Sequence, residues 1–278
     1  MGEEATAFVP GHITGFFSAH PDEDPTKAGS RGAGVTLTDG IEVTVERVPE
    51  EASSTIVLDG EETEIEPVST VLETIGVSAR VEARSELPLG AGFGVSGATA
   101  LGTALAANRV FTCKLSFNEL VTVAHGAEVR AGTGLGDVVA QARGGVPIRL
   151  EPGSPQVNKL DAIPARARVE YVSFGELSTP EVLADDTERL TQVGTEALSK
   201  LVEEPTLLSF MYASRAFARE TELLTEQVAR TIGDVTDANG QASMAMLGNT
   251  VFALGTGLSD AGYDPNVCAT HPAGAMLK

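Results

Sequence analysis

At 278 residues and 42% hydrophobic composition, the chain can bury a sizeable core as one large domain or two intimate subdomains. Its 39 acids against 19 bases, only five of them lysine, give a net charge of −20. Such a field repels nucleic acid and acidic membranes, which bind clustered Lys and Arg, so neither is an expected partner.

No stretch is apolar and long enough to span a bilayer, and the first 30 residues lack a signal-peptide pattern. Two distant cysteines, Cys113 and Cys268, make neither a disulfide framework nor a metal cluster, so the expected location is cytoplasmic. The acids are dispersed, as in Glu61-Glu62 and Glu203-Glu204. Lysine-poor, acid-rich surfaces of this kind are similar to those of proteins from salt-loving archaea, where ionic strength screens the self-repulsion.

In chain order, an apolar strand over Ala5–Val9 is followed by a turn at Pro10-Gly11-His12, and His20–Lys27 reads as a polar surface loop. Strands follow at Val35–Leu37 and Ile41–Val48, then a helix over Pro67–Ile75 with Val68, Val71, Leu72 and Ile75 on one face. The strand Ala79–Arg84 alternates apolar with charged and reads as half solvated. A long alanine-rich helix begins near Ser96 and runs to about Phe111, and another follows the capping box Ser116-Phe-Asn-Glu119 as far as Arg130. A second glycine loop, Gly132 to Asp137, leads to Gly144-Gly145 and the strand Val146–Leu150.

The break Pro152-Gly-Ser-Pro155 suggests subdomains over 1–152, which would bind nucleotide, and 153–278. In the second, strands are expected near Val157 and at Arg168–Phe174, and a helix from Thr179-Pro180. Helices at Thr187–Val202 and Thr206–Thr221 follow, and then a strand ending the apolar run Met244–Leu254. The expected class is α+β with mixed and antiparallel sheets.

The most informative stretch is Pro88 to Gly102. Gly90, Gly92, Gly94 and Gly97 remove the Cβ atoms that would hold an anion off the main chain, directly ahead of a helix N-terminus. It reads as a triphosphate cradle. Gly92-Phe-Gly94-Val-Ser-Gly97 also spells the dinucleotide fingerprint G-x-G-x-x-G, but that needs a buried parallel strand ahead of it, and Ala79–Arg84 is not one. The acid it needs some 20 residues on would be Glu119, better explained as a cap. A plain glycine-rich surface turn is disfavoured by the helix that follows at once.

Ser96 at the helix start can cap it or reach a phosphate-bound Mg²⁺; Glu128 is a suitable Mg²⁺ ligand; Asp137 ends the second loop among glycines. Taken singly, each has an ordinary alternative: an N-cap, a solvated acid, a helix cap. Jointly they match the parts of phosphoryl transfer.

Here the sequence resembles the GHMP kinase superfamily of galacto-, homoserine, mevalonate and phosphomevalonate kinases. PLGAGFGVSGA is similar to its phosphate loop, Val9-Pro-Gly-His12 to its N-terminal motif, and GLGDVVAQARGG to its segment of a catalytic Asp followed by Gly-Gly. The strings PGHITGFF, GSRGAGV, GTGLGDV and SMAMLGNTVFAL resemble its archaeal members that act on pantoate. One departure is the third motif, which in Ser243–Asn249 keeps the single glycine Gly248.

The resemblance implies a two-subdomain GHMP-like fold and ATP- and Mg²⁺-dependent phosphorylation of pantoate to 4-phosphopantoate, a step toward coenzyme A. It implies Asp137 as the catalytic acid, with Pro88, Gly90, Gly92, Gly94, Ser96, Gly97 and Glu128 serving ATP and Ser96 and Glu128 the Mg²⁺. Pantoate's carboxylate and two hydroxyls call for a cation and hydrogen-bond partners. Ser30 in the GSRGAG turn, His125 one helical turn before Glu128, and Arg149, whose guanidinium can grip a carboxylate bidentately, are the candidates. His12 and His20 receive no role.

Rival readings are a GHMP kinase for homoserine or mevalonate, a non-catalytic ATP-binding regulator, and a nicotinamide-dependent oxidoreductase. A homodimer is left open.

Overall fold

The computed structural model describes residues 3–49, 51–175 and 187–278. Its backbone is a long antiparallel ribbon of β1 (Glu4–His20) and β2 (Gly29–Arg47), paired from Glu4↔Glu46 to His20↔Gly29. Two of the sequence expectations merge here. Val35–Leu37 and Ile41–Val48 belong to one strand, and Pro10-Gly11-His12 is no turn but the first of two register shifts inside β1. The extra residues lie on the partner strand, where Leu37–Asp39 of β2 stand opposite Gly11 alone, so β1 runs on through its Pro-Gly signal.

The ribbon is the centre of an eight-stranded sheet ordered β12-β1-β2-β5-β3-β4, with β6 pairing β2 and β7. Its further strands are β3 (Thr55–Leu58), β4 (Glu61–Glu62), β5 (Ala79–Ser85), β6 (Val146–Glu151), β7 (Lys159–Ile163) and β12 (Met276–Leu277). The β3–β5 pair is parallel, which makes the sheet mixed. The alternation of β5 survives: Ala79, Val81 and Ala83 are buried while their neighbours are not. The strand expected near Val157 lies at 159–163 instead, and Val157 itself sits in an exposed turn.

α2 (Val95–Phe111) lies on this sheet, and α1 (Glu66–Ile75) and α3 (Phe117–Ala131) pack on α2 and on each other. α2 is apolar on every side, as only an internal helix can be. Its alanines let it approach closely, and at Gly102 a Cβ would collide with Val43 of β2. α4 (Asp137–Arg143) runs between the second glycine loop and β6.

A second, antiparallel sheet is ordered β11-β8-β10-β9, from Asn266–Ala269, Arg168–Ser173, Thr250–Leu254 and Ala242–Ala245. α5 (Thr187–Glu203) and α6 (Leu207–Glu220) pack on β1, and α7 (Glu226–Asp237) packs on β9 and β10. A short α8 (Gly257–Asp260) is held by the fully buried Glu170, whose Oε2 accepts from the Leu258 and Ser259 amides. The helix expected from Thr179-Pro180 falls outside the described residues. Helix α7 was not anticipated.

Aromatic rings tie the layers together. Phe210 lies between Phe16 and Phe252, and Phe93 of the first glycine loop meets Tyr171 of β8 edge-on at 4.8 Å. The class is α+β.

Candidate active site

Gly90, Gly92 and Gly94 all have positive φ, the left-handed region that side chains resist. Gly94 is the N-cap of α2 and offers no side chain to the helix, so the amides ahead of Ala98 have no acceptor within α2 or from a cap. They open, with the positive end of the helix, on a cavity of about 230 Å³. Around that cavity stand Gly90, Gly92 and Gly94 from the first loop with Ser96 at the start of α2, Glu128 from the end of α3, Thr133 and Asp137 from the second loop, and Ser30 and Arg149 from β2 and β6. Both glycine loops therefore share one space.

Glu128 is carried by α3, whose N-terminus is fixed by the reciprocal Ser116–Glu119 box. Its carboxylate is 3% exposed; Oε1 accepts from Ser96 Oγ at 2.6 Å and Thr133 Oγ1 at 3.0 Å. Burial outweighs these two donors, and with Asp137 nearby it pushes the Glu128 carboxyl up to about 7. Gly134 is needed beside it, since a Cβ there would collide with Oε2.

Asp137 opens α4 and behaves oppositely. Burial works against its charge, but the hydrogen bond from His12 Nδ1 to Oδ1 at 2.7 Å, with Arg149 behind it, holds the carboxyl below its usual range. Two neighbouring acids pushed apart in this way can divide the work of binding a cation and receiving a proton.

His12 is the group to which the sequence reading gave no role. Next to the register shift at Gly11, a bond from its amide to the Phe93 carbonyl helps to fix it, and it is completely buried. Burial lowers its pKa and keeps the ring neutral, so Nδ1–H donates to Asp137 and Nε2 is left without a partner. Only its place in the N-terminal motif hinted at this.

Arg149 is 1% exposed, and its Nε and Nη1 are buried without hydrogen-bond partners. Burial lowers its pKa to about 10, which still leaves it charged. Ser30 Oγ and Arg149 Nε both face Gly136, where a Cβ would strike them.

His125, by contrast, does not line the cavity. Its Nε2–H donates to the Ala28 carbonyl at 2.8 Å, two residues before Ser30. Pro88 is exposed on the outer side of the loop, and Gly97 lets α2 approach Val138 and Glu128. His20 bonds Ser18 Oγ, apart from the cavity.

The third motif forms the turn between β9 and β10. Its single glycine packs on the first loop: a Cβ on Gly248 would overlap the carbonyl of Ala91, and Met246 and Leu247 complete the cavity wall. Gly248→Ala is therefore expected to cost about 1–3 kcal/mol of stability and to raise the KM for ATP, read from thermal melts and initial rates.

A sequence profile described as "GHMP kinases N terminal domain" matches residues 65–145. The chain is 38% identical over 263 residues to a pantoate kinase of Thermococcus kodakarensis, covering 89% of this chain and 86% of that one. It is 34% identical to a pantoate kinase of Methanocaldococcus jannaschii, covering 89% and 91%. The chain belongs to the pantoate kinase family. A solved structure described as a phosphotransferase related to the CoA biosynthesis pathway superposes on this pantoate kinase family member with a TM-score of 0.88 at 31% identity, covering 99% and 98% of the two chains. A homoserine kinase from Cytophaga hutchinsonii, at 17% identity and a TM-score of 0.71, shares the fold.

The Glu128 environment has a measurable consequence. Its pKa in the folded protein, about 7, lies above the ordinary 4.5, so ligand-free protein loses stability as pH rises between the two. At pH 8 the cost is about 3 kcal/mol. Glu128→Gln should melt above the native protein at pH 8 and level with it at pH 4.5. A difference that does not vary with pH would show that Glu128 is not held protonated.

Proposed function

We propose that this protein transfers the γ-phosphoryl group of Mg²⁺-ATP to the 4-hydroxyl of pantoate, giving 4-phosphopantoate. The observation that carries the reading is the shared cavity, in which an uncapped helix N-terminus and two acids of opposite tendency face a buried, underbonded arginine. Similarity to pantoate kinases over most of the chain supports the choice of substrate.

The donor set fits the metal and nucleotide. Ser96 Oγ and the Glu128 carboxylate are hard oxygen donors, and a buried carboxylate that resists ionisation is one a cation would compensate. Mg²⁺-ATP supplies the phosphoryl group and neutralises charge developing on the phosphate oxygens. Gly90, Gly92, Gly94 and Gly97 with the α2 amides hold the phosphates, and Pro88 shapes the loop from outside.

Asp137 gives one oxygen to His12 and turns the other to the 4-hydroxyl, orienting it and taking its proton as the bond to phosphorus forms. Arg149 grips the pantoate carboxylate through the N–H groups that have no partner in the protein, and Ser30 donates to it or to the second hydroxyl. His125 acts from behind, fixing Ala28 and so the position of Ser30.

Among the described residues no helix is long and apolar enough to cross a membrane. A cytoplasmic enzyme working at high salt, as the acidic composition supports, completes the proposal. The test is a panel of pantoate, homoserine and mevalonate with Mg-ATP in high salt, following ADP release. Preference for pantoate is the expected outcome, preference for another alcohol would reassign the substrate, and no release with any would favour a regulator.

A further inference from the structure

Gln141 lies one turn beyond Asp137 on α4, on the same face, and is fully buried. Its Nε2 donates to the carbonyl of Gly94 at 2.9 Å, while its Oε1 is buried with no partner. Among the described residues that is the side chain's one hydrogen bond, and it fixes the orientation of the amide, because an oxygen facing the Gly94 carbonyl would be repelled. The backbone of Gln141 is held in turn by the Ala275 amide at 3.0 Å.

Gly94 is in the left-handed region, and its carbonyl also accepts the first bond of α2, from the Ala98 amide at 2.9 Å, so two donors converge on this one oxygen. A peptide unit is planar, and fixing its C=O fixes the N–H on the opposite side. The N–H opposite the Gly94 carbonyl is that of Val95, the first residue of α2, which lines the cavity. A Cβ on Gly94 would lie 3.0 Å from both Asp137 Cβ and Gln141 Nε2, closer than ordinary contact, and at a φ of 65° it would also be strained.

We infer that Gln141 is a positioning residue for nucleotide: by holding the Gly94 carbonyl from the side, where the Ala98 amide holds it along the helix, it sets the aim of the Val95 amide at the phosphates and ties that amide to the helix that carries Asp137. This rests on the kinase reading. The two are separated by binding of a non-hydrolysable ATP analogue with Mg²⁺, measured by calorimetry. If the native protein binds no analogue, the kinase reading fails.

Given native binding, Gln141→Met, which keeps the bulk and removes both the donor and the unpaired oxygen, should weaken the analogue about fivefold to tenfold. Its melting temperature should not fall, and the KM for pantoate should stay unchanged. A purely structural glutamine would instead lower the melting temperature and leave the analogue affinity alone, and that result would overturn the assignment. Gln141→Leu is the second variant. Failure of both to melt cooperatively would equally overturn it, by making Gln141 a requirement of the core.

Discussion

Alanine in place of Asp137 is expected to leave a folded protein that binds Mg-ATP and transfers almost nothing. The side chain is 23% exposed and makes one strong contact, with His12, so little packing is lost. Removing a positioned acid costs about 10²–10⁴ in rate, and kcat should fall by that much while the KM for ATP changes little. Asp137→Asn is the sharper variant. It keeps the shape, yet its amide either loses the bond from His12 or cannot accept the hydroxyl proton. Wild-type turnover in either variant, measured as ADP release with pantoate, would remove Asp137 from the mechanism.

Arginine 149 gives the second large effect, on binding instead of turnover. A buried guanidinium with two unbonded nitrogens is an unfavourable group to keep in an empty site. Arg149→Met should therefore raise the KM for pantoate by about thirtyfold or more, corresponding to 2–5 kcal/mol for loss of a buried charge partner. The melting temperature of the ligand-free protein should not drop. Lysine should recover little, because it lacks the planar fork that meets a carboxylate at two points. An unchanged KM would mean that another group holds the carboxylate.

Much of the nucleotide side of the cavity could be read in advance because the signals are local. Glycines before an alanine-rich helix, and Ser116 three residues before Glu119, specify their own backbone geometry within a few residues. The alternation of Ala79–Ser85 likewise set its exposure.

What escaped depends on register and distance. Pro10-Gly11 carries a turn signal, and only pairing along the whole β1–β2 ribbon makes it a register shift inside a continuous strand, with His12 against Asp137, 125 residues away. Spacing on α3 put His125 and Glu128 on one face but could not say that the ring would meet the Ala28 carbonyl. The role of Gly248 follows from its contact with Ala91, which nothing near it in sequence announces. Helix α7 carries a local signal of its own, Thr225 capping a run with Val228, Ile232 and Val235 inward.

The ring pair Phe93–Tyr171 joins the first glycine loop to the far sheet. Since the protein contains no tryptophan and three tyrosines, its ultraviolet emission is phenolic, and one of the three emitters stands next to the loop that would cradle ATP. Filling the cavity should perturb that light, giving a label-free titration of occupancy in the native chain.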